Sequence, residues 1–375
     1  MTKIWIDGYE ANVAQRLGSG QVAFELLKNI ELLDKKNDYL ILLPSLPLPD
    51  LPKEREGWRY KILKPRKLWT RIALPLYLFG AKQKPDVFYS PTHYSPWFSP
   101  VKKVVTVFDL AYLRFPEMFE QKDLYQLTNW TKHSINTAEK IITISYSSKK
   151  DIIKYYKKDP KDITVCYPGY NEEVFHQVSD QPKIDQTLMK YQIKGDYLVF
   201  IGTVQPRKNL KRLIQSFVKI DNLKLVVVGK TTGEGRQAWQ FEEIVELPKR
   251  LEIEDKIIFT GFVSNQDMLY LLNGSKAFIL PSLWEGFGIP VVDAMACGKP
   301  VIVSDVSSLP EVAGSAGLYV NPESIDQIEQ SIRLISTDKK LHSKLSRNAI
   351  EQAKKFSWKK MAKQVIDVLE KTSQG

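Results

Sequence analysis

The second half of the chain contains a basic loop with the residue types needed to bind a diphosphate. In the stretch 202–210, a glycine turn is followed by Arg207 and Lys208 and then by a predicted helix. A helix N-terminus favours anions, an arginine donates a fork of hydrogen bonds, and a lysine adds a point charge. Two solvated cations are the alternative, but cations are unfavourable at this end of a helix. The pattern therefore predicts a diphosphate site.

A second stretch, 278–304, predicts a strand, a glycine loop, a helix, a tight turn and a further strand. Gly286 and Gly288 allow the backbone to approach a bulky ligand closely. Glu285 in the loop and Asp293 in the first helical turn follow the end of a strand, where open α/β sheets bind ligands. From the residues alone, Asp293 is better explained as an acid that stabilises the helix N-terminus. Glu285 stays open between a ligand contact and an exposed loop acid.

The first half offers weaker signals. Gly18 and Gly20 precede a predicted helix, but the loop 8–17 separates them from the preceding strand. A dinucleotide fingerprint needs its glycine directly after the strand, so a nicotinamide dehydrogenase is the least favoured class.

Composition favours a folded enzyme with two domains. The chain has 375 residues, of which 43% are hydrophobic, and each half is long enough to bury a core. Cys166 and Cys297 fall in different predicted domains without metal-type spacing, which favours a reduced, cytoplasmic setting. The first residues lead directly into a strand, so we expect no signal peptide. No apolar run approaches the ~18 residues that span a bilayer.

The net charge of +11 is concentrated in one stretch. Ten Lys or Arg residues and two Glu residues lie between Leu51 and Lys84, interleaved with aromatic residues. One interpretation is a solvated face with core aromatics. The others are peripheral contact of residues 58–79 with an anionic membrane, and an acceptor that carries phosphate. No DNA- or RNA-binding motif accompanies the charge, so no nucleic-acid partner is expected.

Strands and helices alternate in both halves, which predicts the α/β class with parallel sheets. We predict domains at 1–170 and 196–356, joined by a linker at 171–195. The predicted strands are 3–7, 39–43, 58–63, 86–90, 103–108, 140–145 and 163–167, then 197–202, 223–228, 256–260, 277–280, 300–303 and 317–320. The predicted helices include 21–33, 123–137, 147–157, 209–220, 237–251, 265–273, 290–297, 325–336, 339–355 and 359–369.

The stretch 281–300 resembles the signature of the retaining, GT-B-fold glycosyltransferases of family 4. In that family two glutamates separated by seven residues hold a nucleotide-sugar; Glu285 matches the first, and Asp293 stands at the second position. The resemblance extends over about 197–322 and more weakly through the first half. It implies two Rossmann-like domains facing a central cleft, the first for the acceptor and the second for the nucleotide-sugar. A C-terminal helix, 358–375, is expected to pack back on the first domain.

The resemblance also implies roles for individual residues of the donor site. Glu285 would contact the donor's sugar and phosphate, and Asp293 its ribose hydroxyls. Lys208 matches a lysine of the family, and Arg207 supplies the charge of an arginine that many relatives carry where this chain has Thr203. The donor-binding set is completed by Gly18, Gly20, Gly202, Thr203 itself, Phe262, Gly286, Phe287 and Gly288.

Three further candidates lie in the first half. Asp109 matches an aspartate of the family and is assigned a catalytic role with Arg207, Lys208 and Glu285. Phe108 stands where relatives have a histidine that touches the donor sugar. His93, at another strand end, is the candidate replacement, although a lone histidine is more often structural. Phe108 and His93 are therefore expected as sugar or acceptor contacts.

The function implied is a retaining glycosyltransferase that moves a sugar from a nucleoside-diphosphate-sugar to a hydroxyl of a carbohydrate or lipid-linked acceptor, in polysaccharide or glycolipid assembly. No metal or cofactor is expected. A sugar-nucleotide epimerase on the same fold and a non-catalytic sugar-binding module are the alternatives. The expected location is the cytoplasm, with peripheral contact to the inner face of the membrane.

Overall fold

A computed structural model describes residues 1–229 and 238–375 of the chain. The residues group into two units: unit 1 comprises Met1–Gly169 and Ser357–Gly375, and unit 2 comprises Tyr170–Phe356. In sequence, unit 2 is therefore an insertion into unit 1. The predicted helix start at Gln237 lies outside the described residues.

Unit 1 is built on a seven-stranded sheet with the order β3-β2-β1-β4-β5-β6-β7. Every neighbouring pair of strands is parallel. The β-branched run 104–107 is fully buried, as expected of a parallel strand covered on both faces. The strands are β1 Lys3–Asp7, β2 Asp38–Leu43, β3 Trp58–Ile62, β4 Val87–Ser90, β5 Lys102–Val107, β6 Lys140–Thr143 and β7 Ile163–Val165.

The connections 44–57 and 91–101 contain no helix, and the other four connections between these strands contain helices. They are α1 Ser19–Leu33, a π-helical turn Trp69–Ala73 that continues into α2 Leu74–Gly80, α3 Ala111–Arg114, α4 Gln121–Thr137 and α5 Tyr146–Tyr156. The last helix of the sequence also belongs to unit 1 and packs against α1, β4, β5 and β6. It spans Trp358–Gln374 and is called α14 in chain order.

An apolar stripe fixes α14 on unit 1. Met361, Val365 and Leu369 recur every four residues, which is the spacing of one helix face, and all three are fully buried. Gly169, the last residue of the first segment of unit 1, lies beside Trp358, the first residue of α14. A Cβ atom on Gly169 would lie 2.1 Å from the backbone nitrogen of Trp358, so only glycine allows the two segments to approach so closely.

Unit 2 contains a six-stranded sheet with the order β10-β9-β8-β11-β12-β13. All neighbouring strands are again parallel. The strands are β8 Tyr197–Ile201, β9 Lys224–Val228, β10 Ile257–Gly261, β11 Ala277–Leu280, β12 Val301–Ser304 and β13 Gly317–Val320. Its helices are α6 Gln181–Lys190, α7 Leu210–Ser216, α8 Ala238–Arg250, α9 Asn265–Gly274, α10 Ile289–Ala296, α11 Leu309–Ala313, α12 Ile325–Thr337 and α13 Lys339–Ala353.

The two parallel sheets confirm the predicted α/β class, and all thirteen predicted strands are present. The segment 171–195 differs from its prediction as a linker, because it contains α6. The Asp180 carboxylate caps this helix, and Ile184 and Thr187 are buried, with α6 packed against α9. Few apolar residues mark the helix, so its pattern in the sequence is weak. Among the described residues, no helix combines the length and the apolar character needed to span a bilayer.

Candidate functional site

The sheet of unit 2 reverses its strand order between β8 and β11. At such a switch point the loops that leave the two strands diverge, and ligands bind outside the carboxyl ends of the strands. Here the loop 202–209 follows β8 and the loop 281–288 follows β11. A backbone hydrogen bond joins them, from the Leu283 nitrogen to the Arg207 oxygen at 2.8 Å. Both predicted donor-binding stretches therefore lie at the same edge of one sheet.

A buried carboxylate is the centre of this site. Glu285 is only 5% exposed. Its Oε2 accepts a hydrogen bond from Arg207 Nη1 at 3.0 Å, and its Oε1 accepts one from Lys208 Nζ at 2.6 Å. Arg207 Nη1 also donates to the Trp284 carbonyl at 2.6 Å. The structure thus brings together three residues that the sequence analysis placed in two separate stretches.

The two ion pairs determine the charge of Glu285. Burial alone would raise the pKa of its carboxyl, but the positive charges of Lys208 and Arg207 outweigh burial and lower the pKa to about 2. Glu285 is therefore ionised at neutral pH, and its negative charge is divided between two cations.

Serine side chains hold the Glu285 loop in place. Ser282 Oγ donates to Glu285 Oε1 at 2.7 Å, and the Glu285 nitrogen donates to Ser307 Oγ at 3.1 Å. Ser308 Oγ donates to the carbonyls of Glu285 and Phe287 at 2.9 and 3.0 Å. Sequence reasoning missed these serines. The signal for Ser307 and Ser308 is a serine-rich stretch directly after β12, a strand next to β11 in the sheet, whereas Ser282 follows β11 itself.

Asn209 links the same region to a third loop and was also missed as a site residue. It ends the 3-10 turn Pro206–Lys208 and adopts a left-handed conformation with φ of 59°, which asparagine tolerates better than most residues. Its Nδ2 donates to the carbonyls of Pro281 at 2.9 Å and Pro322 at 2.6 Å. The loops after β8, β11 and β13 are therefore connected through one buried amide.

The glycines of the two stretches bring backbone close to the strand ends. Gly288 has a φ of +100° and precedes α10, and a Cβ atom there would lie 3.0 Å from Leu309 Cδ2. Phe287 is buried and packs edge-on against Phe356 with ring centres 5.4 Å apart. After β9, a Cβ atom on Gly229 would lie 2.1 Å from the carbonyl oxygen of Gly202. Sequence reasoning did not single out Gly229.

The remaining donor-site candidates of unit 2 lie outside the ion-pair cluster. Asp293 is half-buried in α10, and burial of its carboxyl raises the pKa to about 8. Within the described ranges 1–229 and 238–375, no side chain forms an ion pair with Asp293. Thr203 is half-buried next to Gly202, and Phe262 is 70% exposed after the end of β10.

In unit 1, the structure brings three of the predicted residues together. The rings of His93 and Phe108 lie 5.3 Å apart. Burial lowers the pKa of His93, although the nearby Asp109 charge acts in the opposite direction. Asp109 Oδ1 accepts a hydrogen bond from the Ala111 nitrogen at 2.9 Å, at the start of α3. Gly18 and Gly20 lie separately, at the N-terminus of α1, where Gly18 has a φ of 52°.

The cysteines are both buried free thiols, and burial raises the pKa of Cys166 and of Cys297 to about 12. In the part of the chain that the structure describes, no group of three or more His, Cys, Asp or Glu side chains is arranged to hold a metal ion.

Replacing Glu285 by glutamine should change how stability depends on pH. The folded-state pKa of Glu285 lies below its unfolded value of 4.5, so ionised Glu285 stabilises the fold above about pH 4.5 and this stabilisation is lost as the pH falls towards 2. The free energy of unfolding of the wild type minus that of Glu285→Gln should fall by about 2 kcal/mol between about pH 6 and about pH 3.

Urea unfolding at each pH measures this difference. The control is Glu351→Gln in the same unit, since the Glu351 side chain is 71% exposed in its pair with Lys354 and such pairs contribute little. A pH-independent difference for Glu285→Gln would contradict the assigned charge state.

Comparison of the sequence with known families and relatives gives consistent results. A model of the family "Glycosyl transferases group 1" matches residues 186–371, and a model of "Glycosyltransferase Family 4" matches residues 18–174. O-antigen chain mannosyltransferase B of Escherichia coli is 30% identical over 312 residues, covering 82% of this chain and 78% of that protein. Serotype-specific mannosyltransferase WbdA of the same species is 29% identical over 236 residues; the match covers 61% of this chain and only 28% of that longer protein.

Solved structures of similar fold include two proteins that match nearly the whole of this chain. Sucrose-phosphate synthase from Thermosynechococcus elongatus superposes with a TM-score of 0.79 at 17% identity, over 99% of both chains. HepE from Anabaena, solved in complex with UDP and glucose, superposes with a TM-score of 0.77 at 18% identity, also over 99% of both chains. These similarities identify the fold as GT-B. With the matches to both family models, they show that the chain is a glycosyltransferase and belongs to the group 1 family.

Proposed function

We propose that the protein transfers a sugar from a nucleoside-diphosphate-sugar to a hydroxyl acceptor, with retention of the anomeric configuration. The cluster of Arg207, Lys208 and Glu285 at the switch point of unit 2 carries this proposal. Its two cations exceed its one carboxylate in charge, which favours a diphosphate. The complex of the similar protein HepE with UDP and glucose supports a nucleotide-sugar as the donor class.

In the proposed reaction, the bond between the anomeric carbon and the diphosphate oxygen breaks while a bond to the acceptor oxygen forms on the same face. The acceptor's hydroxyl proton passes to the leaving phosphate. Negative charge therefore develops on the diphosphate, where Arg207 and Lys208 would stabilise it by prearranged electrostatics. These cations would supply the positive charge of the site, so we propose that the reaction needs neither a metal ion nor a cofactor.

The other candidates take supporting roles in this proposal. Glu285 keeps the two cations in position and contacts the sugar, and the backbone at Gly286 and Gly288 lines the phosphate. The raised pKa of Asp293 suits a carboxyl that exchanges hydrogen bonds with ribose hydroxyls. In unit 1, Asp109, His93 and Phe108 would act on the donor sugar or the acceptor. The names of the E. coli relatives make mannose the first sugar to test.

The donor class and stereochemistry can be tested together. Thermal-shift screening of UDP-, GDP- and dTDP-sugars, with GDP-mannose included, should find one stabilising donor. Incubation of that donor with oligosaccharide acceptors should give a product whose anomeric configuration, read from NMR coupling constants, equals that of the donor. Turnover should be unchanged when EDTA is added. An inverted product, or loss of turnover with EDTA that a divalent ion restores, would contradict the proposal.

Replacing Lys208 by methionine should lower turnover by about 10²–10³-fold, because one prearranged charge at the leaving group is lost. It should also lower stability, because buried Glu285 loses one of its two cations. Steady-state assays with the identified donor and urea unfolding measure the two effects. The control is Lys211→Met three residues later, since this lysine is exposed and paired with Glu243. If Lys208→Met turns over the donor as fast as the control does, Lys208 does not contribute to catalysis.

We also propose that the acceptor is a growing carbohydrate or a lipid-linked sugar, used in polysaccharide assembly. The O-antigen chain relative supports this class of product. The enzyme would act in the cytoplasm, with peripheral contact to the membrane through residues 58–79. In support, the helical segment that includes α2 exposes large apolar side chains at helical spacing: Leu68 50%, Ile72 37%, Leu76 66% and Phe79 55%.

If the protein contacts membranes through this segment, less of the Leu76→Gln variant than of the wild type should sediment with anionic vesicles, because the substitution removes an apolar anchor from the interface. The sedimentation of the wild type should decrease with salt. Leu32→Gln is the matched control, since Leu32 is similarly exposed, at 55%, on α1. Equal sedimentation of the two variants, or no vesicle binding by the wild type, would exclude the contact.

A further inference from the structure

Arg71 of unit 1 lies over two tryptophan rings. It belongs to the π-helical turn before α2, and its guanidinium carbon is 4.7 Å from the ring centre of Trp97 and 4.3 Å from that of Trp130. Trp97 in turn stacks on His133 with ring centres 3.9 Å apart and an interplanar angle of 6°. Four planar side chains, from the turn before α2, the loop after β4 and helix α4, therefore form one connected cluster. This aromatic cluster fixes the position of the guanidinium.

The described residues leave the charge of Arg71 uncompensated. No carboxylate in 1–229 or 238–375 lies within ion-pair distance of its guanidinium, and its Nε is buried without a hydrogen-bond partner there. Lys103 is a second cation in this region, and among the described residues its Nζ donates to two neutral oxygens, those of Pro96 at 2.9 Å and Thr137 at 2.7 Å. Burial, and then the charges of Lys103 and Arg71, lower the pKa of His133, whose bond to the Trp97 carbonyl acts in the opposite direction. The region is therefore positively charged.

Further unpaired polar atoms occur on another residue of this cluster, Trp130, and on His93 and Ser95, which precede Trp97 in the loop after β4. Trp130 Nε1, His93 Nδ1 and Ser95 Oγ are buried and form no hydrogen bond with any described residue. Tyr94 connects Trp130 and His93, since its ring packs edge-on against that of Trp130 at 5.5 Å and lies 6.3 Å from that of His93. Buried polar groups are nearly always paired, so several unpaired groups near an uncompensated cation indicate a missing polar ligand. An anion would neutralise the charge of Arg71 and would also accept a hydrogen bond from the indole N–H of Trp130.

We propose that Arg71, held by Trp97 and Trp130, binds a phosphate group on unit 1. A guanidinium presents parallel N–H donors that match a phosphate, and the fixed aromatic contacts reduce the entropy lost on binding. The inference extends the proposed function, because a phosphate-bearing acceptor would be held through this group. Next to the cluster, Phe98 and Ile72 are 62% and 37% exposed. A phosphate carried by a lipid and a phosphate on a soluble acceptor are therefore the two sources to distinguish.

The test compares the full-length wild type with Arg71→Gln and Arg71→Lys in two arms. In the first, thermal unfolding is followed while inorganic phosphate replaces chloride at constant ionic strength. In the second, binding is measured to phosphatidylcholine vesicles with and without phosphatidic acid. Binding that depends on phosphate should weaken about tenfold or more in Arg71→Gln, since a charge-assisted hydrogen bond to a charged group is lost. Arg71→Lys keeps the charge but loses the planar fork of N–H donors. Its phosphate-dependent binding should therefore lie between that of the wild type and that of Arg71→Gln.

Lys161→Gln is the control, because it removes one positive charge from an exposed side chain of unit 1 that pairs with Asp159 and lies outside residues 58–79. It should bind phosphate and vesicles as the wild type does. A response in the first arm alone identifies a soluble phosphate, and a response in the second identifies a lipid-borne one. If Arg71→Gln and Arg71→Lys match the control in both arms, Arg71 only packs the helices together and the inference is wrong.

A nucleoside diphosphate is titrated into the wild type in parallel, since its binding depends on the Glu285 cluster of unit 2. Failure of that titration would count against the proposed function and would leave the result for Arg71 unaffected.

Discussion

The double ion pair of Glu285 fixes the geometry of the ligand edge of unit 2. A buried carboxylate without a partner is strongly unfavourable, and removing one partner of a buried pair typically costs about 3–5 kcal/mol. Glu285 meets this requirement with Lys208 and Arg207 from the loop after β8. Its loop is also bonded to serines that follow β12. Glu285 therefore joins three loops, since its carboxylate binds the loop after β8 and its backbone binds the serines after β12.

The exposure of these side chains determines which charge is presented to a ligand. Arg207 and Lys208 retain 19% and 12% of their side-chain surface, whereas Glu285 retains 6%. The negative charge is therefore the more covered one, and the accessible part of the cluster is positive. Anionic groups are favoured at such a surface although each cation already has a carboxylate partner.

Much of this arrangement could be predicted from the sequence, because parallel strands are marked locally by apolar runs and the site follows the ends of two strands. Arg207 and Lys208 were found in this way, whereas the local pattern left Glu285 open and the family resemblance made it a ligand contact. Ser307 and Asn209 were not, since their bonds reach residues 22 and 72 positions away and no local pattern reports such pairs. The cluster of Arg71, Trp97 and His133 was missed for the same reason. Helix α6 was missed because its few apolar residues give a weak periodic signal.

Helix α14 has a consequence for how the protein is made. During synthesis, residues 1–169 leave the ribosome first, but the helix that covers α1, β4, β5 and β6 is encoded after the whole of unit 2. The apolar surface that receives Met361, Val365 and Leu369 therefore stays uncovered while 187 residues, Tyr170–Phe356, are translated. Domains generally fold in order of translation, and uncovered apolar surface favours aggregation in that interval. The inserted unit can complete its own core before the first one does, because the core of unit 1 needs the final helix of the chain.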